Sequence, residues 1–280
     1  MLRPRPRPGC PYLAGAPLLV AHRGGSRLAP ENTMAAFRQA VELWDADMLE
    51  LDVRVTRDGE VVVLHDATVD RTTDGTGAVA DLEWARVREL DAGYRFVGLE
   101  GDFPFRGRGV GIPRFVELLE ELPLVRLNVE IKARAAARRL VDIILDFGAQ
   151  DRVLVAAARE RDRRDVRAYP GAWGASAGQL RLFHVLHRTP FGSLYTPGAD
   201  VLQAPDTWRG RRVLTPRFIR EAHRRNLPVH VWTVDREDDM RRLLDWGVDA
   251  IQSDRPDRLA RVLVAERGRP APPGLAGEGA

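Results

Sequence analysis

Short apolar runs alternate with amphipathic stretches along most of this chain. Residues 18–22, 48–55, 125–132 and 152–157 read as strands, as do 229–234 and 248–252, with weaker strand patterns at 171–175 and 200–203. Helical spacing follows at 33–44 and 135–147. Another helix starts at Thr215-Pro216, where threonine caps and proline takes the first turn, and one follows each of the last two strands. Repeated strand–helix alternation predicts a parallel sheet. Eight such strands in an α/β chain of this size predict a closed (β/α)8 TIM barrel. Residues 61–65 follow the second strand too closely for a parallel crossover. Arg57-Asp58-Gly59-Glu60 favours a tight hairpin turn. With Asp58 and Gly59 as the two turn residues, 57 pairs with 60 and, down the ladder, Asp52 lies opposite His65. The glycine-rich segment 66–112 reads as an insertion on top of the barrel. One barrel domain is therefore expected over 15–266. The Pro/Arg-rich tail 1–14 and the Pro/Gly/Ala-rich tail 267–280 are expected to be disordered.

Composition narrows the partners. The 280 residues are 44% hydrophobic and 30% charged, with a net charge of +3, ordinary for a globular domain. Basic residues are scattered among acids without interleaved aromatics, so nucleic acid is not an expected partner. A modest attraction to anionic substrates or peripheral contact with a membrane surface fits the charge. The single cysteine, Cys10, excludes an intrachain disulfide and a cysteine-based zinc site. No apolar run reaches the roughly 18–20 residues of a membrane span. No secretory signal is evident, and a cytoplasmic location is the expectation.

The chemistry concentrates at predicted strand ends. Strand side chains alternate, so Glu50 and Asp52 share one face of the second strand, and Asn128, Glu130 and Lys132 share one face of the next. Strand C-terminal ends form the catalytic face of an α/β barrel. Glu50, Asp52 and Glu130 in one mouth would repel each other without a cation. An all-oxygen donor set suits Ca2+ or Mg2+. The alternative is that these acids pair with arginines on a solvated rim. His22 ends the first strand and His65 the hairpin, so two imidazoles flank the acids as a candidate general acid and base. Arg23 has the fork geometry to bind a phosphate oxygen, and Lys132, the one lysine in the chain, would neutralise the same group. Trp232 is a candidate apolar wall. His184, His187 and His223 read as surface residues, and His230 as a hydrogen-bonded core residue.

These residues fall within motifs that resemble the glycerophosphodiester phosphodiesterase family. The match is carried by His22-Arg-Gly, Pro30-Glu-Asn-Thr, Leu49-Glu-Leu-Asp-Val, Thr56-Arg-Asp-Gly, Val63-Leu-His-Asp, Arg71-Thr-Thr, Val129-Glu-Ile-Lys, Val231-Trp-Thr-Val and Asp254-Arg-Pro, and it runs from about Val20 to Ala265. The resemblance implies a TIM barrel with an insertion after the His65 region. It implies one divalent cation on Glu50, Asp52 and Glu130, His22 and His65 as acid and base, and Arg23 and Lys132 on the phosphate. It also implies that Glu31 orients His22 or Arg23. The substrate class would be small-molecule glycerophosphodiesters, giving glycerol 3-phosphate and an alcohol. Two departures touch the rim: Ala156-Ala157 stand where the family often has Ser-Phe, and Gln252-Ser253 where an apolar-Thr pair is common. Two other readings stay open. A lysolipid-cleaving activity would need an apolar rim, for which Phe96, Val97, Leu99, Phe103 and Phe105 are candidates. A non-catalytic binding barrel would not need the acids and histidines.

Overall fold

The computed structural model describes residues 11–189 and 194–276. Its strands are β1 (Leu18–Ala21), β2 (Met48–Val55), β3 (Val61–Val63), β4 (Arg126–Ile131), β5 (Val153–Ala156), β6 (Ala172–Trp173), β7 (Leu202–Pro205), β8 (Thr207–Trp208), β9 (Arg211–Arg212), β10 (Val229–Trp232) and β11 (Ala250–Ser253). Its helices are α1 (Met34–Glu42), α2 (Trp84–Val87), α3 (Phe115–Glu121), α4 (Ala137–Asp146), α5 (Ala177–Leu186), α6 (Pro216–His223), α7 (Glu237–Trp246), α8 (Pro256–Arg267) and α9 (Pro273–Ala276). Eight strands run in the order β6-β5-β4-β2-β1-β11-β10-β7, each parallel to its neighbours. The two ends of that path meet at a parallel bridge between Gly174 and Val201. There the Ala175 N–H donates to the Val201 carbonyl at 2.9 Å. The expected TIM barrel is the observed fold.

Alternation along the strands builds two layers. Leu49, Leu51 and Val53 of β2 point outward and pack with Phe37 of α1, Leu118 of α3 and Leu140 of α4. Met48 points inward and joins Leu18, Val20, Leu154 and Ala250 in the floor of the barrel. Local signals start the helices as the sequence predicts. Thr33 caps α1 by accepting the Ala36 N–H, and Thr215 caps α6 by accepting the Phe218 N–H.

Three expectations are corrected. The hairpin pairs Val53 with Val63, Arg54 with Val62 and Val55 with Val61, one residue out of the expected register. Gly59 takes φ +90°, and Arg57 joins Asp58 and Gly59 in the loop as a third residue, while the Thr56 N–H donates to Glu60 O at 3.0 Å. Asp52 therefore lies opposite Leu64, whose N–H donates to the Asp52 carbonyl at 2.9 Å, and not opposite His65.

Residues 11–14, placed in the disordered tail by composition, are folded onto the barrel. Tyr12 is buried in the floor, its hydroxyl 3.0 Å from Leu127 O, to which it donates, and 2.8 Å from Met48 Sδ. Arg126 holds the segment by donating to Tyr12 O and Ala14 O. The rest of that tail, 1–10, lies outside the described residues.

The C-terminal tail is likewise docked as far as 276. Arg269 Nη1 pairs with Asp47 at 2.6 Å, and the Gly274 N–H donates to Leu43 O at 2.8 Å. Gly274 lies so close to Trp44 that an added Cβ would fall 2.4 Å from the ring. Segment 66–112 has a small core of its own, in which Val69, Val79, Val87, Leu90 and Ile112 pack with Val62 and Leu64 of the hairpin. No helix among the described residues is long and apolar enough to cross a membrane.

Candidate active site

The register of β2 on β4 pairs Glu50 with Asn128 and Asp52 with Glu130. Three carboxylates consequently emerge together at one end of the barrel. Glu50, Asp52 and Glu130 each offer an oxygen within 4.8 Å of the other two. Glu50 and Asp52 are buried and Glu130 is half-buried. The Lys132 ammonium lies between two of them, 3.1 Å from Asp52 and 2.9 Å from Glu130. Asn32 Nδ2 donates to Asp52 at 3.0 Å. The backbone N–H of Arg23 donates to Glu50 at 3.0 Å, and the Arg23 guanidinium lies 3.4 Å from Asp52. Arg23 has a left-handed backbone, φ +51°, uncommon for a residue with a side chain. In that conformation its amide faces the cluster while His22 stays on the cavity wall.

The electrostatics are those of an acid cluster short of positive charge. Burial, followed by the Asp52 charge, pushes the Glu50 carboxyl up to about 7. Burial also opposes the charge on Asp52, but Lys132 and Arg23 outweigh it and hold that carboxyl below its ordinary value. Burial would lower Lys132; Asp52 and Glu130 overcome this and raise it. A hard divalent ion fits this donor set. It would supply the charge that Glu50 lacks through the oxygen ligands such ions prefer.

Both predicted histidines line the same cavity as the acids. Each carries a carboxylate on Nδ1: Asp254 at 2.6 Å for His22 and Asp66 at 2.6 Å for His65. Such a bond fixes ring orientation and leaves Nε2 for other contacts. His22 Nε2 is 3.8 Å from Glu50. Burial disfavours charge on His22, but Glu50 and Asp254 prevail and raise it to about 9. Glu31 orients Arg23, accepting from its Nη1 at 3.0 Å, and does not touch His22. Arg71 closes the network, donating to both Glu31 oxygens at 2.7 and 2.8 Å and to Asp66 at 2.5 Å. Burial alone would raise Asp66; the Arg71 and His65 bonds instead hold it down at about 2. Asp254, Asp66, Asn32 and Arg71 were given no role from sequence. All four stand in or beside the quoted motifs, but periodicity carries no information about which side chains meet.

The cavity measures about 600 Å3 and continues from the acids past Trp232 to His184. His184 is thus a wall residue and not a surface one. His187 and His223 are buried instead of exposed, because α5 and α6 turn those positions inward. His187 packs on Phe183 and Phe218, and His223 Nε2 bonds Asp249 at 2.7 Å. His230 is in the core as expected, but neither ring nitrogen has a hydrogen-bond partner among the described residues. Of the candidate apolar rim, Phe96 and Phe105 pack edge to face on each other, and Val97, Leu99 and Phe103 are exposed. None of the five lines the cavity that holds the acids.

Comparison with known proteins agrees with this geometry. Residues 22–166 and 174–258 match the model of the glycerophosphoryl diester phosphodiesterase family. The Mycobacterium tuberculosis protein named probable glycerophosphodiester phosphodiesterase 2 is 36% identical, across 90% of this chain and 92% of its own length. The glycerophosphodiester phosphodiesterase of Caldanaerobacter subterraneus is 32% identical, across 88% of this chain and 97% of its own. The crystal structure of glycerophosphodiester phosphodiesterase from Agrobacterium tumefaciens superposes with a TM-score of 0.72 at 28% identity, covering 87% of this chain and 99% of that one. An Oleispira antarctica phosphodiesterase, solved with the product sn-glycerol-3-phosphate, shares the fold with a TM-score of 0.71 at 24% identity, covering 89% and 97%. With the family motifs matched along most of the barrel, and their acids and histidines gathered at one mouth, the chain belongs to the glycerophosphoryl diester phosphodiesterase family.

Proposed function

We propose that this phosphoric diester hydrolase cleaves glycerophosphodiesters to glycerol 3-phosphate and a free alcohol, using two histidines and one divalent cation, Ca2+ or Mg2+. Glu50, Asp52 and Glu130 would hold the cation. When bound, it supplies Lewis-acid stabilisation of charge on the phosphoryl oxygens. Arg23, oriented by Glu31, binds a phosphate oxygen, and Lys132 adds positive charge beside it. One of His22 and His65 takes the proton from the nucleophile, and the other delivers a proton to the departing alcohol oxygen. The phosphorus–oxygen bond to the alcohol breaks, and water provides the new oxygen and the balancing protons. Trp232 forms an apolar wall beside the reacting group. The observation carrying this reading is a single cavity that holds three clustered carboxylates and two imidazoles, each imidazole oriented by its own acid.

Phosphorus NMR of a reaction on glycerophosphoethanolamine in the presence of Mg2+ or Ca2+ tests the proposal. Glycerol 3-phosphate and ethanolamine are the expected products. Phosphoethanolamine and glycerol would place the cut on the wrong side of the phosphorus, and no product from folded, metal-supplied protein would favour a binding barrel.

A further inference from the structure

We propose that the outer part of the cavity is a second anion site, which binds a phosphate monoester carried by the alcohol half of the substrate. This rests on the hydrolase reading above and specifies its substrate class. Two elements build the site. The β8–β9 hairpin follows directly on the C-terminal end of β7. Its turn residues Arg209 and Gly210 have φ of +49° and +75°, the type I′ geometry that suits a tight two-residue hairpin. Its register sets Trp208 opposite Arg211. Helix α5 adds Arg181 and His184 from the preceding barrel loop. Trp208, Arg211, Arg212, Arg181 and His184 all line the cavity that also contains the acid cluster.

The charge of this region is one-sided. Among the described residues, Arg181, Arg211 and Arg212 have no carboxylate partner, and the only carboxylates on the cavity wall are Glu50, Asp52 and Glu130. Nearby Arg242 shows the contrast, being paired with Asp206 and Asp239. Arg211 shares the Trp208 face of the hairpin, while Arg212 lies on the opposite face, its guanidinium 5.3 Å from the Trp246 ring. The wall between the acids and the arginines includes Ala156, Ala157 and Ala158, whose methyl side chains leave the route open. A cavity of about 600 Å3 is of a size that encloses a drug-sized ligand, so the glycerol phosphate half fills only part of it. A cationic alcohol such as choline would meet the like charges of Arg181 and Arg211 in the remainder. An alcohol bearing a phosphate monoester, with a charge of roughly −1.5 to −2, answers Arg181 and Arg211 on the cavity wall.

The test compares glycerophosphoinositol 4-phosphate with glycerophosphocholine at low ionic strength. The ratio of kcat/KM values is expected to favour the phosphorylated alcohol by about tenfold, and to fall about two- to fivefold in each of Arg181→Gln and Arg211→Gln, the range of partly exposed ion pairs. Arg211→Glu should lower it further, and added salt should compress it. Titration of inositol 4-phosphate alone onto the wild-type protein reads the same site without turnover, and binding should weaken in Arg211→Glu. A ratio of one or below, or a ratio and a titration unmoved by the substitutions, would overturn the second site while leaving the hydrolase intact. Arginine-dependent binding of inositol 4-phosphate without release of glycerol 3-phosphate from either diester would keep the anion site and overturn the hydrolase. Thermal unfolding of each variant checks that these surface replacements leave the fold in place.

Discussion

At the scale of single residues, the site depends on pairs that fix one another. His22 on Asp254 and His65 on Asp66 are rings held by carboxylates at 2.6 Å. His22→Ala and His65→Ala are each expected to lower kcat by about 10²- to 10⁴-fold, the usual contribution of a positioned acid or base, without preventing metal uptake. Steady-state rates and metal titration of each variant check this, and a near-normal rate would remove that ring from the mechanism. The acids and histidines were legible in the sequence because strand alternation directs Glu50, Asp52 and Glu130 to one face, and because His22 ends its strand. Asp254 was not legible as a partner, since it stands 232 positions from the ring it orients, and only barrel closure through β1 and β11 brings them together. Lys132 was read as a phosphate ligand. The pairing of Asp52 with Glu130 across β2 and β4 seats its ammonium between two acids at the same mouth, a contact that alternation alone did not indicate.

At the scale of elements, the barrel strands followed the periodicity closely, α5 and the β8–β9 hairpin were not anticipated, and the errors of register and tail arose where one residue outweighs its surroundings. Gly59 in the left-handed region lengthens the β2–β3 loop by one residue and shifts the ladder, because a glycine tolerates a positive φ that other residues resist. The proline- and arginine-rich start hides one aromatic, Tyr12, whose burial in the barrel floor orders the residues around it. Composition averages over a window and misses such an anchor. Removing only the hydroxyl, Tyr12→Phe, leaves the Leu127 carbonyl without that donor. This should cost about 1 kcal/mol, seen as a fall in Tm of roughly 2–4 °C. An unchanged Tm would mean that the hydroxyl does not hold this segment. Helix α3, only seven residues long, was not anticipated from the sequence. Its inner face, Phe115, Leu118 and Leu119, is nevertheless fully in the core.

At the scale of the whole molecule, the barrel is a stack of layers: an apolar floor around Met48 and Tyr12, buried polar groups at His230, Asn128 and Gln252, and the acids at the mouth. The middle layer ties stability to pH. Burial pushes His230 down to about 4, against an ordinary value of about 6.5. Above pH 6.5 both folded and unfolded chains leave it neutral. Below that the unfolded chain takes up a proton that the folded chain refuses, so stability drains away as pH falls toward 4. Between pH 7.5 and pH 5 this contributes a loss of about 2 kcal/mol, measurable by urea unfolding and absent in His230→Leu. Equal pH slopes for the two proteins would show that the ring does not titrate in this way. The layer above holds the proposed chemistry, whose central claim is a cation shared by Glu50, Asp52 and Glu130. The most direct measurement is calorimetric titration of Mg2+ and Ca2+ into metal-stripped, folded protein, with glycerol 3-phosphate release followed on the same samples. One bound ion per chain is predicted, with turnover rising in step with occupancy and both lost in Glu130→Ala. Full turnover by the stripped protein, or undiminished ion binding by Glu130→Ala, would contradict it.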